Sequence, residues 1–575
     1  MAIRFLRPMI AIASVGVGLS AFAQQDVTRH ERPSTSATAF AEVPVLDGNV
    51  AEDPAWRGFE AATNFVQVRP LEGQPASQKT EVYIGYTDDA LYVGVIAHDD
   101  QAASIVVNDS RRDSDLENAD SFLVIFDSMF DKQNGFVFGT NPAGMQYDGQ
   151  VIKEGSGGIG SVGSGSFNRN WDGSWEVETQ LTASGWSAEI RIPFRTLRYA
   201  RGDVQTWGVN FQRNIRRTKE TAYWAPLSRE RNLYRVSEAG TVAGIAPPSQ
   251  RNFKIMPYLL TSSAKGGSLA GTERNNEFGV DIKYSVTPRL TLDATYNTDF
   301  AQVETDEQQI NLDRFSLFFP EKRPFFLENA GQFTVGESSS AELFFSRRIG
   351  IAPDGSPIPI EGGVRLSGKV GDATNVGFLY MGSDAVENVA PGNEFAVVRV
   401  NQELENRSSI GMLIVDRHGD GSFGRTGSDD QNQTYAIDGR LGIGDNALLQ
   451  GWVAKTSTPG LNQRNDAFSV KGEYQNEDWV LSTTYMEIGE DFNPEVGFLR
   501  RSDVRYGNIL IFRRIRPDDL WGLFEVRPHT SYTGWWSLDG FHQSGFWHID
   551  THWEWKSGFE FHTGYNFTHE GVQSP

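Results

Sequence analysis

From Asn252 to the end of the chain, apolar and polar residues alternate one by one in runs of roughly ten, the length of a strand that crosses a bilayer. A period of two means strands with two unlike faces. Leu290, Leu292, Ala294 and Tyr296 alternate with Arg289, Thr291, Asp293 and Thr295. Later, Trp547, Ile549, Thr551, Trp553 and Trp555 point one way while His548, Asp550, His552, Glu554 and Lys556 point the other. Phe559, Phe561, Tyr565 and Phe567 repeat the scheme against Glu560, His562, Gly564 and Asn566. One face suits lipid and its interface, the other a wet lumen. A propeller or second sandwich would also alternate, but the runs have no fixed propeller period, glycine is abundant (59) and aromatics gather at strand ends. Residues 250–575 are therefore expected to form a transmembrane antiparallel β-barrel. A helical crossing is excluded, because a spanning helix needs roughly 20 apolar residues and Gly, Asp, Asn, Arg or Ser interrupts every later apolar run. The mean hydropathy of −0.41 does not oppose a barrel, whose strands are half polar.

Met1–Ala23 carries Arg4 and Arg7 before a short apolar stretch that ends in the small residues Ala21 and Ala23, the pattern of a secretory signal peptide. A polar lead, 24–38, is expected to be flexible. The chain has no cysteine, so disulfides, thiolate nucleophiles and cysteine-ligated metals are excluded. Against 52 Lys and Arg stand 74 Asp and Glu, a net charge of −22 that repels a phosphate backbone and argues against a nucleic-acid partner.

The texture differs before residue 248. Thr80–Tyr86 and Leu91–Ala97 flank Thr87-Asp88-Asp89-Ala90 as a β-hairpin. Further strands are predicted at 121–126, 135–139, 175–179, 186–192 and 207–212. Many short strands with Gly-rich turns indicate a β-sandwich over 39–247. Val45-Leu-Asp-Gly48, Glu52-Asp-Pro-Ala-Trp56, Asp88-Asp-Ala-Leu-Tyr-Val93, Asp120-Ser-Phe-Leu-Val-Ile-Phe-Asp127 and Gly185-Trp-Ser-Ala-Glu-Ile-Arg-Ile-Pro-Phe194, in this order, resemble the family 9 carbohydrate-binding modules. The resemblance implies a jelly-roll-like sandwich that binds sugar chain ends between aromatic rings, in a family where calcium also occurs. Trp175 falls near one stacking aromatic. Where the other should precede Asp120, this chain has Glu117-Asn118-Ala119. Candidate carbohydrate-binding residues are Trp171 and Trp175, placed in a polar loop and expected to be exposed, with Asn118, Arg111 and Arg112 able to bond hydroxyls. Trp56, Trp186 and Trp207 lie in apolar strand patterns and read as core. Asp113, Asp115, Asp127 and Asp131 could supply oxygen ligands to calcium, though their spacing is not that of an EF-hand and solvated loops explain them as well.

The barrel half is interrupted by Asn297-Thr-Asp-Phe-Ala-Gln-Val-Glu304, Phe318-Phe-Pro-Glu-Lys-Arg-Pro-Phe-Phe-Leu-Glu328 and Leu343-Phe-Phe-Ser-Arg-Arg-Ile-Gly350. These runs resemble the membrane-associated barrel that a largely uncharacterised bacterial family carries behind a family 9-like sandwich, which implies architecture and no chemistry. Phe318, Phe319, Phe325, Phe326 and Leu327 need burial while Glu321, Lys322, Arg323 and Glu328 need partners, so 300–350 is expected to fold into the barrel as a plug. Nothing fixes a catalytic partner for Glu321 or Glu328. The His548, Asp550, His552, Glu554 stripe reads as pore lining, because same-face neighbours on one strand lie roughly 7 Å apart, too wide for three to share an ion.

The expected protein binds an oligosaccharide or polysaccharide through its sandwich and contacts outer-membrane lipid through its barrel. Alternatives are a glycoside hydrolase or associated protein of carbohydrate catabolism, and an assembly protein that binds no sugar. No Gly-x-Ser-x-Gly or His-Glu-x-x-His motif supports an enzyme. The stretch His569–Pro575 is turn-like, so further strands are expected beyond it, and Ala246-Pro-Pro-Ser249 is expected to separate the halves. Residues 24–247 should express in soluble form, whereas residues from 250 onward should require detergent and change gel mobility on boiling. A water-soluble, monomeric C-terminal half would remove the barrel assignment.

Overall fold

The computed structural model describes residues 32–572 except 108, 153, 155–166, 201, 230, 249–252, 266–271, 288, 299–309, 311–314, 316, 328, 338–339, 353–357, 372, 388, 422–429, 518–519 and 558. The leader 1–23, Ser249, Glu328 and most of the 297–304 run lie outside the described residues.

Up to Ile245 the chain forms two facing sheets, of nine and five strands. The larger runs, in spatial order, Ser34–Ser36, Gly240–Ile245, Gln205–Ile215, Ser121–Asp127, Gly135–Thr140, Tyr147–Val151 and Phe167–Asn168. Glu220–Tyr223 and Val66–Arg69 branch from Gln205–Ile215. The smaller runs Glu176–Thr182, Gly185–Pro193, Ala90–His98, Thr80–Tyr86 and Thr38–Ala39. The predicted hairpin is present, with Thr80 opposite Ala97 and Tyr86 opposite Leu91. Val93, Val95, Ile190 and Ile192 of the smaller sheet meet Phe122, Val124, Phe126, Trp207 and Phe211 of the larger in one core. The first strand, Ser34–Ser36, lies inside the lead expected to be flexible, in parallel register with Thr241–Ala243. Backbone pairing rather than an apolar face holds it, so the polar sequence gave no sign of it.

From Phe253 onward fifteen strands form one antiparallel sheet. Its members follow chain order from Phe253–Lys265 to Glu560–Glu570, interrupted among the described residues by Gly336–Glu337, Ala341–Glu342 and Phe498–Leu499, which form a small inner sheet. The sheet is inside out. Large apolar side chains such as Val398, Val400, Ile410, Ile437, Val453, Ile509 and Ile549 are exposed, while Arg365, Ser367, Lys369, Arg399, Asn401, Asn432 and Thr434 are buried. Within Asn393–Leu404 the two kinds alternate, Phe395, Val397, Arg399 and Asn401 inward, Val398, Val400 and Leu404 outward. A row of exposed aliphatics over a polar interior is the pattern of a membrane-spanning β-barrel wall. Among the described residues, the first and last strands do not pair with each other.

The inserted segment occupies the concave side. Pro324–Leu327 is a single helical turn, and Gly336–Glu337 with Ala341–Glu342 pairs with Phe498–Leu499. Phe326, Phe333, Val335, Leu343 and Phe344 pack with Leu379, Met381, Phe395, Val397, Leu413, Trp452 and Met486 of the wall. One segment thus touches strands far apart in the sheet, which requires the sheet to curve around it. Arg323 organises the segment: its guanidinium donates to Glu321 (2.7 and 2.6 Å) and to the carbonyls of Ile349 (2.6 Å) and Ser346 (2.7 Å).

At one end of the sheet four connections are only three residues long, 371–373, 405–407, 444–446 and 476–478, with 514–522 the longer exception, whereas those at the other include 384–392 and 420–430. The sandwich meets the short-turn end. Lys369 Nζ reaches Asp131 of the sandwich at 3.0 Å and Glu403 of the wall at 2.7 Å. Arg516 pairs with Glu72 (3.4 Å), and Arg229 lies 4.0 Å over the ring of Phe524.

Trp207 is 1% exposed, stacks on Tyr199 at 5.8 Å and donates its indole N–H to Gln205 at 2.9 Å. Trp207→Ala should cost the sandwich about 3–5 kcal/mol, read as a lower Tm in detergent-held full-length protein. A Tm unchanged within error would mean that the two sheets do not share this core.

Candidate ligand-binding site

The motifs that suggested a family 9-like sandwich are knitted together by one carboxylate. Glu189, buried in Gly185–Pro193, accepts the indole N–H of Trp56 (2.8 Å) and the backbone N–H groups of Asp47 and Gly48 (2.9 Å each). The spacing of those motifs therefore serves the framework, as the core reading of Trp56 implies.

The nominated sugar site is assembled differently from the expectation. Trp175 is 5% exposed and stands edge-on to Phe138 at 5.4 Å, inside the sandwich core. Trp171 is half-buried against Phe136 at 5.1 Å. The exposed pair of indoles is thus corrected: polar Asp172, Gly173 and Ser174 suggested a surface loop, but both rings turn beneath the larger sheet. Arg112 does meet this loop. It pairs with Asp172, with Asp148 at 2.5 Å and with Asp113 at 3.7 Å, and donates to Gln146 at 2.7 Å. Gln146 in turn donates to the carbonyl of Trp175 (2.9 Å), and the N–H of Gly173 donates to Asp148 (2.6 Å). Arg111 points away into solvent beside Asp109 (2.8 Å), and exposed Asn118 donates to Asp115 at 3.3 Å.

The four calcium candidates divide between the two ends of Ser121–Asp127. Asp113 and Asp115 precede it, while Asp127 and Asp131 lie at its far end, roughly 20 Å away for seven residues at strand rise. They do not form one site. Asp127 accepts the N–H groups of Asp131 (3.1 Å) and Lys132 (2.7 Å), and Asp131 faces Lys369. Burial, with the charge of Asp131 beside it, pushes the Asp127 carboxyl well above the usual range.

What sequence reasoning missed is a cavity of about 1700 Å³ between the sandwich and the barrel interior. The sandwich contributes Asp115, Glu117, Arg169, Arg231 and Arg235, and the barrel Arg407, Arg440, Lys471, Glu473, Arg527 and Glu554. Its cationic side chains outnumber its acidic ones although the chain as a whole carries −22. The signal was present as arginines in the barrel's polar positions and turns, but their convergence depends on how the two halves meet.

Residues 248–362 match the model of a domain of unknown function, DUF5916. No curated protein matches the chain. Among solved structures the chain is similar to a family 9 carbohydrate-binding module from Caldicellulosiruptor kristjanssonii in complex with cellotriose, at 18% identity, covering 37% of this chain and 93% of that one, TM-score 0.26. It is also similar to OccK7 of Pseudomonas aeruginosa, at 9% identity over 79% of this chain and 94% of that one, TM-score 0.25. OccK11 of the same organism gives 9% identity over 81% and 95%, TM-score 0.26.

Asp148 offers a test of the polar cluster. Burial first, then the charge of Asp113, raises its carboxyl from 3.8 to about 6, against the lowering effect of Arg112 and the Gly173 N–H. The folded state therefore holds this proton more tightly than the unfolded one. This group's contribution to stability is fully present below about pH 4 and is lost as pH rises through about 6, on the order of 3 kcal/mol. Asp148→Asn should remove that loss, so that the difference in Tm between variant and unchanged protein grows between pH 4 and 7. A difference independent of pH would place the Asp148 carboxylate in a solvated site.

Proposed function

We propose that the protein is a bacterial outer-membrane barrel whose sandwich, seated at the periplasmic mouth, delivers or retains an oligosaccharide or polysaccharide at the junction cavity. The carrying observation is that cavity: about 1700 Å³, walled on one side by the sandwich and on the other by the barrel interior. It exceeds the roughly 300–1,000 Å³ of small-molecule pockets and suits an extended ligand. The exposed apolar band of the sheet supports residence in lipid, and the secretory leader read in Met1–Ala23 supports export. The sandwich's place at the short-turn end supports a periplasmic orientation, since periplasmic turns of outer-membrane barrels are the short ones.

The surplus of cationic groups in the lining favours a saccharide bearing carboxylate or sulfate. Arg112 and Asn118, on the loop whose Asp115 and Glu117 border the cavity, are proposed to take hydroxyls at its sandwich side. With Trp175 in the core, recognition relies on charge and hydrogen bonding in place of a two-ring clamp. In detergent or nanodiscs, an acidic oligosaccharide should bind the full chain more tightly than its neutral counterpart. Arg169→Glu and Lys556→Glu, exposed residues on opposite walls, should each weaken the acidic ligand by about tenfold, or about 1.4 kcal/mol. Equal affinity for acidic and neutral ligands, unaffected by either charge reversal, would overturn the acidic-saccharide reading.

A further inference from the structure

Six of the nine histidines of the chain lie on its last three described strands, Leu523–Ser537, His542–Trp555 and Glu560–Glu570. Their distribution is explained by register. His529 sits opposite Asp550, and His552 opposite His562. The spacing along one strand, which argued for pore lining, is thereby bypassed, because ligands come from neighbouring strands. His529 Nε2 and His548 Nε2 are 3.1 Å apart, and Asp550 Oδ2 lies 3.8 Å from His548 Nε2 and 3.0 Å from His552 Nε2. The donor atoms of His529, His548 and Asp550 all fall within 4.8 Å of one another, as do those of Asp550, His552 and His562.

A second observation concerns the opposite ring nitrogens. His529 Nδ1 lies 3.2 Å from the carbonyl oxygen of Arg527, which can only accept, so Nδ1 carries the proton. His548 Nδ1 lies 2.6 Å from Asn566 Oδ1, likewise an acceptor. In the neutral rings both Nε2 lone pairs then face each other across 3.1 Å, an arrangement that a proton or a metal cation between them relieves. Anchoring one ring nitrogen on an oxygen while the other binds is how proteins orient metal-ligating imidazoles. Two ligands at about 2.0–2.1 Å from a tetrahedral zinc stand roughly 3.3 Å apart, close to the observed separation.

We propose that His529, His548 and Asp550 bind a divalent transition-metal ion of the zinc class on the lumen side of the barrel wall. His552 holds the Asp550 carboxylate in place, and Arg527, Glu554 and Glu560 join the site to the wall of the cavity. Borderline nitrogen and carboxylate donors select zinc or cobalt over calcium or magnesium.

The full chain in detergent, stripped with chelator and dialysed, is titrated with Zn²⁺ by calorimetry and with Co²⁺ by visible absorption. Saturable Zn²⁺ binding at micromolar or lower Kd is expected, with Co²⁺ d–d bands of a nitrogen and oxygen site. His529→Ala, His548→Ala and Asp550→Asn should each weaken Zn²⁺ at least tenfold, while His569→Ala, outside the cluster, should not. Boiling-dependent gel mobility reports that each variant is folded. Absence of the Co²⁺ bands in the unchanged chain overturns the proposal without recourse to any variant, and so does unaltered Zn²⁺ affinity in folded His548→Ala.

Discussion

The large sheet turns apolar side chains outward and polar ones inward, as a wall between lipid and water must, and the remainder of the barrel half follows from that constraint. Lipid offers no hydrogen bonds, so backbone groups must pair within the sheet and outward side chains must be apolar. The inward positions are then free to carry charge, provided each charge finds a partner. Arg399 shows how this is met. Its guanidinium reaches both oxygens of Asp438 (2.5 and 2.8 Å) across an intervening strand. It passes directly over Gly411, where even a methyl group would lie 2.4 Å from its terminal nitrogen. Its Nε–H donates to the carbonyl of Gln332 in the inserted segment (3.3 Å), tying the plug to the wall.

That segment resolves the other half of the problem, since a wide curved sheet of this kind cannot fill its interior with wall side chains alone. Phe326, Phe333, Leu343 and Phe344 supply the missing apolar volume, and Arg323 with Glu321 and Ser346 satisfies the polar groups that enter with them. The same sequence run therefore mixes aromatics and charges because it has to face both an apolar patch of the wall and its own backbone carbonyls, which Arg323 pairs.

Architecture was legible in the sequence because it depends on local periodicity. Alternation at Leu290–Tyr296 and Trp547–Trp555 located strands and their faces, and the hairpin at Thr80–Ala97 was readable from its turn. Long-range convergence was not. Trp175 looked like a loop residue from its neighbours, whereas its burial is decided by Phe138 on another strand. The grouping of His529 with His548 depends on a register between strands that the single-strand spacing does not contain. Ser34–Ser36 escaped notice because a short strand held by its backbone leaves no apolar trace. The family-like motifs were legible as an ordered set, but the Glu189 contact that joins them was not.

The two rims of the barrel differ in how much change they can absorb. At the rim that carries the four three-residue connections, the sandwich sits close enough for Lys369 to bridge both halves and for Ile152 to lie against Gly331. Lengthening a turn there would lift the sandwich and open the cavity, so chain length at this rim is under geometric restraint. The opposite rim holds connections as long as 384–392 and 420–430. Added chain is therefore best accommodated at the opposite rim, where new surface can form without disturbing the junction.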